Sequence, residues 1–112
     1  MNIELKLETG AMSARIVAAD GSETPAVIPV GQPGIVTLAA GEILAAHAVD
    51  GGRFRLLVIN RGPDMLDARL LGATGGMTEA YHLQPADGQE LWGASVFLDG
   101  WGGDTLTLAP MA

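Results

Sequence analysis

With 112 residues, 48% of them hydrophobic and 17% charged, the chain has the length of one domain and is too apolar to remain disordered. A formal charge of −7 removes the cationic surface that nucleic acid or an anionic membrane needs, and the lack of cysteine excludes thiol catalysis, disulfides and cysteine-ligated metals. No segment is long and apolar enough for a membrane span, and "MNIELKLE" has no basic region followed by an apolar run, so no signal peptide is expected.

Strand patterns then follow one another along the chain. In residues 2–8, Ile3, Leu5 and Leu7 alternate with Glu4, Lys6 and Glu8, which predicts a strand with one wet face. "ARIVAA" (14–19) predicts a second, closed by Asp20-Gly21. "TPAVIPVGQPG" (24–34) carries three prolines, which cannot donate to a ladder, so it is an edge strand or an extended connection. "IVTLAA" (35–40) is the next strand. The alanines of "EILAAHAV" (42–49) suit a short helix. The favoured alternative is a strand that turns at "DGG" (50–52) into "RFRLLVIN" (53–60), because Asp-Gly between apolar runs signals a hairpin.

"RFRLLVIN" is the best candidate for a central strand, since Leu56 to Ile59 are apolar on both faces. "RGPD" (61–64) is a turn and "MLDARLLG" (65–72) a strand. "ATGGMTEAYHLQ" (73–84) starts as a glycine loop and becomes extended. After the turn "PADGQ" (85–89), "ELWGASVFL" (90–98) and "TLTLAP" (105–110) are strands. Eight or nine short strands with turns about every ten residues predict a small antiparallel β-sandwich, with a compact β-barrel as the alternative, as a single domain over residues 1–112.

The most site-like segment is "LDGWGGDTL" (98–106). It contains G-x-G-x-D-x-L, part of the calcium nonapeptide of β-rolls, and Asp99 and Asp104 would be its carboxylate ligands. The motif occurs once, whereas such sites need stacked turns, so a glycine-rich connection between strands is the simpler reading. Trp101, Trp92 and Tyr81 form a conceivable sugar platform, but Trp92 sits in an alternating pattern that suits half-buried packing. Trp101, at a loop tip, suits a protein contact better.

His47 and His82, with Glu42 or Glu79, have no metal-ligand spacing. Ser13, Ser22 and Ser95 lack a nucleophile-elbow context, the Asp64 and Asp67 pair lies in or beside a turn, where aspartate is common for conformational reasons, and "GATGG" (72–76) lacks the lysine of a phosphate loop. No enzyme, metal or cofactor is therefore expected. Met12, Met65, Met77 and Met111 lie at turns or the terminus, where adaptable apolar side chains suit protein contacts as well as they suit capping the sandwich ends.

"LLVINRGPDMLDARLLGA" and "YHLQPADGQELW", within residues 56–92, resemble the strand, Asn-x-Gly turn and paired strand of immunoglobulin-like sandwiches. The chain also resembles, in architecture, small accessory proteins that decorate or join parts of tailed phage and gene-transfer-agent particles. That resemblance implies a non-enzymatic subunit, in a virion or the cytoplasm, bound to a capsid or tail subunit or assembled as a homo-oligomer. The contact residues expected from the chain itself are Trp101, Met77, Tyr81, Pro29, Pro33 and Met111. A carbohydrate-binding module using Trp101 and Tyr81, and a calcium-stabilised domain using the 99–104 loop, are the alternatives.

Overall fold

The computed structural model describes residues 1–49 and 52–111. It contains the strands β1 (Asn2–Thr9), β2 (Met12–Val17), β3 (Glu23–Ala26), β4 (Gly34–Thr37), β5 (Ile43–Ala48), β6 (Phe54–Asn60), β7 (Leu66–Leu71), β8 (Met77–Leu83), β9 (Ser95–Gly100) and β10 (Thr105–Pro110), and among the described residues no helix. They form a four-stranded sheet ordered β4-β1-β6-β9 and a six-stranded sheet ordered β3-β2-β5-β10-β7-β8. Every paired strand runs antiparallel to its neighbour. Each sheet has two free edges, so the architecture is a sandwich and not a closed barrel.

The period-two patterns explain which face each strand buries. Ile3, Leu5 and Leu7 of β1 and Phe54, Leu56 and Val58 of β6 face inward from the smaller sheet. Leu44, Ala46 and Ala48 of β5, Leu106 and Leu108 of β10, and Leu66, Ala68 and Leu70 of β7 meet them from the larger sheet. Each fully buried leucine contributes about 1.5–3 kcal/mol relative to exposure. Together they form one buried cluster between the two sheets.

Within residues 42–49 the chain forms a strand, Ile43–Ala48, and not a helix, because Leu44, Ala46 and Ala48 reach one face at period two. The expected hairpin into residues 53–60 is not formed. β5 pairs with β2 and β10, whereas β6 lies between β1 and β9 in the other sheet. Both strands carry an apolar face. Each turns that face to the shared core from a different sheet. Residues 50 and 51, the site of the expected turn, lie outside the described residues.

The strand expected over 90–98 begins only at Ser95. Residues 90–94 turn instead, with Ala94 N–H donating to Leu91 O at 2.9 Å and Gly93 in a left-handed conformation at φ 72°. Trp92 is consequently 90% exposed, and the half-buried packing inferred from its alternating pattern is wrong. The proline-bearing segment behaves as expected: β3, with Pro25, is an edge of the larger sheet, and residues 27–33 cross to β4, an edge of the smaller one.

One corner ties the two sheets together. Asn60 is fully buried, and its Nδ2 donates to Leu83 O and Asp64 O, both at 2.8 Å. Its Oδ1 accepts the Gly62 N–H at 2.8 Å. A buried amide with its groups satisfied in this way links the end of β6 to the end of β8.

Candidate functional site

A groove of about 680 Å³ is lined by Thr9, Arg53, Phe54, Arg55, Asp99, Gly100 and Trp101. It lies at one end of the sandwich, where β1 and β9 finish and β6 begins. The "RFR" spacing builds it: Phe54 points into the core, while Arg55, one residue on, points out of the same strand. A register shift after Leu7 brings Thr9 opposite Arg55 on one side, and Asp99 is opposite Arg55 on the other.

The geometry is organised by two stacked cations. The Arg53 guanidinium lies 4.3 Å from the centroid of the Trp101 ring, and that of Arg55 lies 4.2 Å from the centroid of Phe97. Arg55 Nη1 also donates to both Asp99 oxygens at 3.4 Å. Trp101 is 57% exposed and Phe97 42% exposed, yet neither stands alone.

The backbone beneath Trp101 is pinned as well. Its N–H donates to Asp104 Oδ2 at 3.0 Å, and Asp104 N–H donates back to Trp101 O at 3.1 Å. Residues 98–106 are therefore a braced crossing from β9 in one sheet to β10 in the other, rather than a hairpin. Gly103, at φ 92°, lets this crossing pass against Ala73.

The structure does not gather the expected contact residues into one patch. Met77, 54% exposed, begins β8 beside the glycine turn at 72–76, at the same end as Trp101. Pro29 and Pro33 belong to the β3–β4 crossing, at the opposite edge of the larger sheet from β8. Pro29 packs on Gly34, and Pro33 is exposed. Met111 is half-buried at the far end, where its N–H donates to Met65 O at 2.9 Å.

Tyr81 is half-buried against the core from β8 and does not line the groove, and Trp92 and Trp101 lie at opposite ends of β9. The three aromatic residues thus form no common platform. The two carboxylates of the loop are each engaged by protein groups, Asp99 by Arg55 and Asp104 by the Trp101 N–H.

His47 and His82 sit on β5 and β8, three strands apart in one sheet, roughly 14 Å by strand spacing alone. Glu79 and His82 fall on opposite faces of β8, as their odd spacing requires. Among the described residues no group of three histidine or acidic side chains is placed to hold a metal ion.

Sequence reasoning missed Arg53, Arg55 and Phe97. Two arginines flanking one inward phenylalanine was the signal available, but the aromatic partners of both arginines come from the far end of the chain. No protein-family model, curated protein or solved structure matches the chain.

Proposed function

We propose that the chain is a non-enzymatic interaction protein that docks through the groove beside Trp101. In its leading form it is an accessory subunit seated on a repeating protein lattice, such as a capsid or tail, or on further copies of itself. The observation that carries this reading is the exposed Trp101, held by Asp104 below and Arg53 above. Tryptophan and arginine dominate the energetic centres of protein interfaces, and a side chain already held in place loses little entropy on binding. The groove itself is lined by two guanidiniums, a carboxylate and a hydroxyl, a set suited to recognition rather than to proton transfer.

Sedimentation velocity and co-sedimentation with particles from the native host test the reading. Assembly or particle binding by the wild type, reduced at least about tenfold by Trp101→Ala, is the expected result. A strict monomer without affinity for any particle or protein overturns it.

A further inference from the structure

The chain has six lysines and arginines against thirteen acidic residues. Five of the six cations are neutralised within the fold: Lys6 by Glu8, Arg15 by Glu23, Arg55 by Asp99, Arg61 by Glu4 and Arg69 by Asp67. Among the described residues Arg53 alone has no carboxylate within ion-pair distance. In a chain with more than twice as many acids as bases, the exception lies in the groove, over the aromatic ring that the loop braces.

Stacking uses the face of a guanidinium and leaves its in-plane N–H groups free. Those groups form the fork that matches a carboxylate. We infer that the groove takes an Asp or Glu side chain of a partner protein, with Arg53 forking the carboxylate and Trp101 packing against the apolar atoms beside it. This rests on the docking reading above and names the chemistry of the partner. A peptide is favoured over an acidic sugar because Arg53 already covers a face of the Trp101 indole, the surface on which a sugar ring would stack. The free edge of β9, running into Trp101, also offers main-chain groups to an extended segment.

The probe is a pool of blocked pentapeptides with Glu at the centre and the other positions randomised, compared with the same pool carrying Gln. Both are titrated into ¹⁵N-labelled full-length protein and followed by the Trp101 indole N–H and Arg53 Nε–H signals. The Glu pool is expected to shift both signals, with at least about tenfold weaker response to the Gln pool, and the preference is lost in Arg53→Gln and retained in Arg15→Gln, which removes a cation outside the groove, on β2. Added salt weakens the response.

Equal responses to the two pools, no response to either, a preference that survives Arg53→Gln, or a response only to an oligogalacturonate control overturns the inference. If Trp101→Ala abolishes assembly while the Glu preference is absent, the docking reading stands and only its charge chemistry falls.

Discussion

Gly100 lies directly against the ring of Phe54: a Cβ at position 100 would stand 2.5 Å from Cε1 and 2.6 Å from Cζ of that ring. The two residues are cross-strand partners on the inner faces of β9 and β6, so this contact closes the core under the groove. Gly100→Ala is expected to destabilise by about 1–3 kcal/mol through overpacking. In a double-mutant cycle, Phe54→Leu is expected to relieve part of that cost, read as less than additive loss in denaturant unfolding. Additive losses would show that the two side chains do not compete for the same space.

Asn60→Ala removes the donor to Leu83 O and Asp64 O and the acceptor for the Gly62 N–H. The orphaned carbonyls are in or near the buried corner, so a loss of about 2–4 kcal/mol is expected, at the upper end for a polar substitution. Urea unfolding measures it. Hydrogen exchange should show faster opening of residues 84–86 than of β5, because Ala86 N–H is bound to Asn60 O in that same corner.

Asp104→Ala takes away the acceptor of the Trp101 N–H. The site is partly exposed, so global stability should fall by only about 0.5–1.5 kcal/mol. The larger effect should be local, as faster exchange of the Trp101 amide and a broader Trp101 indole signal. Because both loop carboxylates already have protein partners, millimolar calcium is expected to leave the Tm of the wild type unchanged. A calcium-dependent rise that disappears in Asp104→Ala would restore the loop as an ion site.

Asp20 is held below the ordinary carboxylate range, first by the hydroxyl of Ser22, which donates at 2.6 Å, and then by the Ser22 backbone N–H at 2.9 Å. A carboxyl depressed in the folded state contributes stability above its unfolded pKa, and that contribution fades as pH falls through the folded value. Ser22→Ala should therefore raise the Asp20 titration midpoint in NMR. The stability gap between variant and wild type should be present at neutral pH and shrink in acid. A gap that grows in acid would contradict the assigned bond.

Much of the strand content was legible in the chain. Ile3, Leu5 and Leu7 announce β1 by alternation, and Leu106 and Leu108 announce β10, because the pleat converts spacing into sidedness without reference to any partner. Trp92 misled because alternation in "ELWGASVFL" does not reveal that Gly93 turns the backbone; the strand starts where the ladder with β6 starts. The pairing of β5 was equally hidden. Asp-Gly favours reversal, but whether the next strand joins the same sheet depends on where Phe54, Leu56 and Val58 bury the most area.

The chain by itself determined an all-β fold, the edge role of the proline segment and a loop in which only Trp101 called for an explanation, since these follow from local periodicity and backbone restriction. Only the tertiary structure decided which sheet each strand enters and that Arg53 meets Trp101, forty-eight positions away. That meeting depends on β6 and β9 pairing within one sheet, a choice set by the competition of every apolar face for the same core and written in no short segment.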